Sequence, residues 1–158
     1  MFALKDVNGT DVATLSYRSN DFSDAQLDAG MSCAIRRSGT GMWQTISNSA
    51  GKEKPVAKIK VGLGAVITIR IECRGKKYFF KKWNNWKLRF SLLTKEGEEL
   101  LSLLPVVNWE KESHDFTLQL NEEFDTECDS FLILHAVHCA NLCMSMMTGG
   151  KVPALISI

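Results

Sequence analysis

Apolar and polar residues alternate along most of this chain, and a period of two is typical of strands with one buried face. The alternation is clearest at 56–61, 65–73 and 114–120. Strands are predicted at 2–6, 10–18, 31–37, 42–46, 56–61, 65–73, 77–82, 87–93, 99–107 and 114–120. The polar stretches 19–30 and 47–55 are predicted as loops. Many short strands at regular spacing favour an all-β sandwich or barrel.

One stretch, 126–147, departs from this pattern, because as a helix it is apolar on nearly every side. Two glycines follow it as a stop signal. A helix that is apolar all round is surrounded either by protein or by lipid. The apolar run is near the lower length limit for a membrane span, and it carries two histidines and an asparagine. We therefore expect a helix buried inside a curled sheet, and a membrane tail anchor is the alternative.

The length of 158 residues suits one domain with its own core, and 45% hydrophobic with 23% charged residues is an ordinary globular balance. The expected fold is mainly β: about ten short strands in a curled sheet or barrel around the hydrophobic C-terminal helix. Residues 1–158 are expected to form a single domain, with the helix at about 126–147. The stretch 152–158 is a candidate for a closing strand.

Three features of the chain resemble one known superfamily. The first is a strand–turn–strand unit at 2–15, FALKDVNGTDVATL. The second repeats that unit late in the chain, with KKYFFKK at 76–82 and KLRFSLLTKEGEELL at 87–101. The third is the apolar terminal helix. Together they resemble the tubby C-terminal-like superfamily, which includes tubby domains, LURP-one-related proteins and phospholipid scramblases. The resemblance implies a mainly β fold: a closed antiparallel β-barrel of about 10–12 strands wrapped around a central hydrophobic C-terminal helix.

The formal net charge is +1, so any basic site must be local. Six basic residues fall between 76 and 89, where they alternate with aromatic residues, and Lys58 and Lys60 share one face of a predicted strand. The candidate residues for binding an anionic lipid are Lys58, Lys60, Lys77, Lys81, Lys87 and Arg89. Solvated outer faces of strands are the alternative interpretation. Nucleic acid is disfavoured as a partner, because the charge is balanced and no recognition motif is present.

The resemblance adds a function to these basic residues. Tubby domains bind phosphoinositides through a Lys-x-Arg pair on a barrel strand; Lys87-Leu88-Arg89 fits that spacing, and Lys58-Ile59-Lys60 fits it with lysine in place of arginine. We expect a non-enzymatic binding module that docks on anionic phospholipid headgroups or on a protein partner. The expected location is cytoplasmic, with peripheral membrane contact. The alternative is a membrane-anchored, scramblase-like protein that uses 126–147 as a tail anchor.

The five cysteines do not suggest a disulfide framework, because their number is odd and three lie in one helix. No basic region and apolar run mark a signal peptide, so reduced thiols in the cytoplasm are expected. Cys128, His135, Cys139 and Cys143 lie on one stripe, but the first and last are about 22 Å apart along a helix and cannot share an ion. No metal site, cofactor or enzymatic motif is predicted.

Overall fold

The computed structural model describes residues 1–18, 22–62, 68–84, 87–111, 113–122, 124 and 126–148, without the side chains of 49, 84, 126–128 and 148. Within these residues the chain forms eleven strands and then one helix. The elements are β1 (Phe2–Lys5), β2 (Asp11–Tyr17), β3 (Ala25–Asp28), β4 (Ser32–Gly39), β5 (Met42–Ser49), β6 (Lys52–Gly62), β7 (Thr68–Cys73), β8 (Lys76–Asn84), β9 (Leu88–Thr94), β10 (Glu99–Asn108), β11 (Ser113–Leu120) and α1 (Thr126–Thr148).

The eleven strands form one sheet in which each strand pairs antiparallel with its neighbours in the sequence. The sheet curls into a nearly closed barrel, and this confirms the predicted mainly-β architecture. Because eleven is odd, β1 and β11 run in the same direction, and an antiparallel ladder cannot join them. Among the described residues these two edges are unpaired. The ring of Phe2 lies between them instead, 5.4 Å from the His114 ring and 5.8 Å from the Phe116 ring.

Helix α1 fills the middle of the barrel. Every residue from 131 to 144 is buried, and the inward side chains of the strands, such as Leu15, Ile71 and Phe90, are fully buried around it. The segment Asp129–Met147 is long and apolar enough to span a bilayer by length and composition, yet 78% of its most apolar window is buried inside the protein. The apolar surface on all sides of α1 is therefore matched by protein on all sides.

Two stretches predicted as loops are partly strands. Within 19–30, the four residues of β3 pair with β2 and β4 and bury Ala25 and Leu27. Within 47–55, β5 continues to Ser49 and β6 starts at Lys52, so the true turn is the pair Ala50 and Gly51, both at positive φ. The predictions were wrong because both segments are polar on the solvent side, and their pairing comes from neighbouring strands.

Two further boundaries differ or cannot be compared. Pro55 lies inside β6, where it faces Ile46 next to a register shift, and a bulge of this kind tolerates a residue that has no amide hydrogen. The predicted strand at 65–73 is observed from Thr68, and 65–67 lie outside the described residues. The candidate closing strand at 152–158 also lies outside them.

The barrel has two distinct rims, because the connections between alternating strands fall at opposite ends. Helix α1 begins beside the β7–β8 and β9–β10 turns, where Asp129, Gly75 and Lys95 line one surface depression. We call this end the lower rim. The 23 residues of α1 then extend about 34 Å to the other end of the barrel. We call that end the upper rim; the last residues of β2, β4, β6, β8 and β10 and the first residues of β3, β5, β7, β9 and β11 lie there.

Candidate anion-binding site

Three of the predicted residues come together on the outer face of the barrel. Lys58, Lys60 and Lys77 line one cavity of about 540 Å³ formed by strands β5 to β8. Strand alternation explains this position, because Ile59 between the two β6 lysines is buried in the core and the lysines therefore point outwards. We call this concave surface the β5–β8 cavity.

Arg70 supplies a fourth cation to the β5–β8 cavity. It lies directly opposite Lys60 in the β6–β7 ladder and directly opposite Phe79 in the β7–β8 ladder. Its guanidinium carbon is 5.8 Å from the centre of the Phe79 ring, which holds the side chain over an aromatic surface. Arg70 was not among the predicted residues, because the alternation at 68–73 shows its face but not which lysine it opposes.

Lys60 and Arg70 are like charges directly opposite each other, an arrangement that destabilises a sheet unless an anion compensates it. In the described part of the chain neither side chain forms a salt bridge. The one carboxylate in the β5–β8 cavity, Glu72, lies opposite Lys58 on one side and Lys77 on the other. The cavity therefore collects four cations around one carboxylate, and its upper pair is not neutralised.

The other predicted residues belong to a different cluster. The Lys81 ammonium lies 3.8 Å from the centre of the Trp83 ring, and the Arg89 guanidinium lies 6.0 Å from it. Arg89 is paired with Glu99 at 2.5 Å. The Trp83 indole donates to Ser91 Oγ at 2.8 Å, and Ser91 donates to Glu99 at 2.6 Å. The charge of Arg89 is thus already compensated within a network that ties β8, β9 and β10 together.

Lys87 is exposed and immediately precedes β9. The two Lys-x-basic spacings found in the sequence therefore differ in the structure. The pair at 87 and 89 has one cation committed to Glu99, whereas Lys58 and Lys60 both face the β5–β8 cavity. The free basic surface is built from β6 and β7 together with Lys77 of β8.

The histidines of α1 are bonded inside the barrel. His135 Nδ1 lies 2.7 Å from the Phe131 carbonyl, which can only accept, so this nitrogen carries the hydrogen. His135 Nε2 then accepts from the Thr45 hydroxyl at 2.6 Å. Burial lowers the pKa of His135 to about 4, against a smaller opposite effect from the Phe131 carbonyl. His135 is neutral and holds α1 to β5.

A second set of hydrogen bonds joins α1 to β2 and β11. His114 Nε2 lies 2.7 Å from Asn141 Oδ1, Asn141 donates to the Tyr17 hydroxyl at 3.0 Å, and that hydroxyl lies 2.9 Å from His138 Nδ1. Burial, with a smaller effect of nearby His135, lowers the pKa of His138 to about 3. Among the described residues, His138 Nε2 is the one buried side-chain nitrogen or oxygen without a hydrogen-bond partner.

The thiols of α1 are unsuited to nucleophilic chemistry. Cys139 and Cys143 are buried, and burial raises the pKa of Cys139 well above its ordinary value and that of Cys143 to about 12. A thiol in this state is a poor nucleophile and a poor metal ligand. The side chain of Cys128, the remaining member of the predicted stripe, lies outside the described residues. In the described ranges, no three His, Cys, Asp or Glu side chains are grouped as metal ligands.

Comparisons of the chain with protein-family models, with curated proteins and with solved structures found no match.

Proposed function

We propose that this protein is a non-enzymatic binding module that docks on anionic phospholipid headgroups through the β5–β8 cavity. The observation that carries the proposal is the unneutralised pair of Lys60 and Arg70, placed directly opposite each other at a concave surface. A phosphate between them would replace a repulsive contact by charge-assisted hydrogen bonds to both. The cavity volume of about 540 Å³ is in the range of small-ligand sites.

The chemistry of the four cations suits a phosphorylated headgroup. Arginine presents a planar fork that matches phosphate oxygens, and lysine acts as a mobile point charge. Arg70 is held over Phe79, so part of its ordering cost is met before a ligand arrives. Lys58 and Lys77 lie on either side of Glu72 and can reach a second anionic group. Near an anionic membrane each such cation is worth roughly 1 kcal/mol.

The burial of α1 supports a peripheral protein over a tail-anchored one, because extracting the helix would expose the whole barrel core. The proposed location follows: cytoplasmic, with reversible contact at a membrane surface. The barrel and its buried helix agree with the resemblance to tubby-like proteins, which remains a prediction. The buried, protonated thiols and the bonded histidines support a binding function over catalysis.

Co-sedimentation with vesicles tests the proposal. Wild type should bind phosphatidylcholine vesicles that contain phosphatidylserine or a phosphoinositide, should ignore pure phosphatidylcholine, and should be released by salt. The double variant Lys60→Gln/Arg70→Gln should lose most of this binding. The variant Lys52→Gln/Lys95→Gln removes the same charge from exposed positions of the lower rim and is the matched control.

Two results would refute the proposed function: no binding of wild type at low salt, or equal loss in both double variants. The first would make a protein partner the better candidate for the β5–β8 cavity. The second would show a response to net charge alone. A soluble inositol phosphate that competes with vesicles would show that the headgroup, and not the bilayer, is what the cavity recognises.

A further inference from the structure

The upper and lower rims of the barrel differ in charge. In the described part of the chain, basic residues outnumber acidic ones in the upper turns and within two residues of the upper strand ends. Besides Lys60 and Arg70, the upper-rim cations include Arg18, Arg37, Lys82, Lys87 and Lys111, and the described acidic residues there are Asp24, Glu110 and Asp115. At the lower rim acidic residues outnumber basic ones. Within the described residues, positive charge is therefore concentrated at the upper rim, although the formal net charge of the chain is only +1.

Exposed apolar side chains accompany the upper-rim cations. Trp109, in the β10–β11 turn, is 53% exposed, and Val106 on the neighbouring end of β10 is 54% exposed. Met42 at the start of β5 is 41% exposed, and Met146 in the last turn of α1 is 39% exposed. Large apolar side chains exposed on a rim whose described residues are net positive are the combination that interfacial membrane binding requires.

The lower rim also exposes apolar groups, but in a different electrostatic setting. Val7 is 100% exposed in the β1–β2 turn, next to Asp6, whereas the nearby Asp11 is paired with Lys5 at 2.6 Å. Because the described lower-rim residues carry more carboxylates than cations, an anionic bilayer would repel this rim at short range and would attract the upper-rim cations. Exposure alone therefore does not distinguish the two rims, whereas exposure together with the sign of the charge does.

We infer that the upper rim is the membrane-facing end of the barrel, with Trp109 and Met146 inserted at the interface of an anionic bilayer and the lower rim pointing away. This inference rests on the proposed function and adds its orientation. Lys60 lies two residues from the upper end of β6 and Met42 is the first residue of β5, so the upper part of the β5–β8 cavity lies next to this rim. One bilayer surface then contacts both sites: a headgroup enters the cavity, and Trp109 and Met146 insert at the interface.

The orientation can be measured with a fluorophore that responds to polarity. Single labels are placed at Glu110→Cys, next to Trp109, and at Val7→Cys on the lower rim, each in a Cys128→Ser background. The other four cysteines are buried in the folded protein. Unchanged thermal unfolding and circular dichroism show that each labelled variant is folded. The probes are vesicles of phosphatidylcholine with phosphatidylserine, and pure phosphatidylcholine vesicles as the negative control.

On binding, the label at 110 should shift to the blue and be quenched by lipid-borne quenchers, and the label at 7 should stay as it is in water. Trp109→Ala should lower vesicle affinity about tenfold, the equivalent of 1.4 kcal/mol, and should leave the affinity for a soluble inositol phosphate unchanged. Trp109→Phe should retain most of the vesicle affinity, because it keeps an apolar ring.

Sedimentation with the same vesicles separates the two ways in which the inference can fail. If the protein sediments with anionic vesicles and the label at 7 responds, or neither label responds, the orientation is wrong and the proposed function stands. If wild type does not sediment with anionic vesicles at low salt, the proposed function itself fails and the orientation fails with it.

Discussion

Acidification below about pH 6.5 should destabilise this fold, because two histidines are buried in neutral form. Burial lowers the pKa of His135 to about 4 and that of His138 to about 3, from an ordinary value of 6.5. Below pH 6.5 these two histidines therefore bind protons in the unfolded chain but stay neutral in the folded protein. The stabilisation that comes from burying neutral histidines is fully present above the unfolded pKa of 6.5, and it is lost progressively as the pH falls below that value.

The size of the effect follows from the same two shifts. One pKa unit corresponds to 1.36 kcal/mol, so between about pH 7.5 and pH 5 each histidine removes about 2 kcal/mol of stability. Both together remove about 4 kcal/mol, a large part of the 5–15 kcal/mol typical of a domain. For a chain of 158 residues this corresponds to a fall in Tm of about 8–16 °C.

Thermal and urea unfolding across this pH range measure the prediction. The variant His138→Gln, which leaves the His135 bonds to Thr45 and Phe131 in place, should show about half the pH dependence. His135→Gln is the reciprocal variant. A Tm that is constant between about pH 7.5 and pH 5 would show that these histidines are not buried in neutral form, and so that α1 is not enclosed by the barrel.

Three further predictions concern the helix and the network on β9. Leu134 is 1% exposed, so Leu134→Asp should prevent folding because it buries an unpaired charge. The control Leu134→Met should lower the free energy of unfolding in urea by less than about 1.5 kcal/mol. A folded Leu134→Asp variant would contradict a central helix. Cys139 and Cys143 should resist alkylation until the protein is denatured, and rapid native labelling counted by mass spectrometry would disprove their burial. Glu99→Gln should lower stability by roughly 0.5–1 kcal/mol by unpairing Arg89, because both side chains are about one third exposed and solvent screens their attraction. An unchanged unfolding midpoint would show that the pair does not contribute to stability.

The overall architecture could be predicted from the sequence because it depends on the local periodicity of apolar residues. A period of two marks most of the strands, and the apolar stretch at 126–147 has no polar face and must lie inside something. Helix α1 covers that range and one residue more. The short strand β3 was missed because Ala25 and Leu27 are the only apolar residues on its buried face. Its strand conformation comes from pairing with β2 and β4.

The composition of the candidate site could be predicted only in part, because the site depends on register. Alternation places Lys58 and Lys60 on an outer face, but only the β6–β7 ladder shows that Arg70 lies opposite Lys60. Alternation also places Arg89 outside, but the Glu99 that neutralises it is ten residues away across a hairpin with a register shift. Neither relation is local, so neither could be read from spacing.

An amide NMR titration with a soluble inositol phosphate tests most directly whether the β5–β8 cavity binds anionic headgroups. If the cavity binds the headgroup, the largest chemical-shift changes should fall on the amides around Lys60, Arg70 and Phe79, should saturate with ligand, and should vanish in the Lys60→Gln/Arg70→Gln variant. Changes centred on Arg89 and Trp83, or no saturable change at low salt, would contradict binding in the cavity.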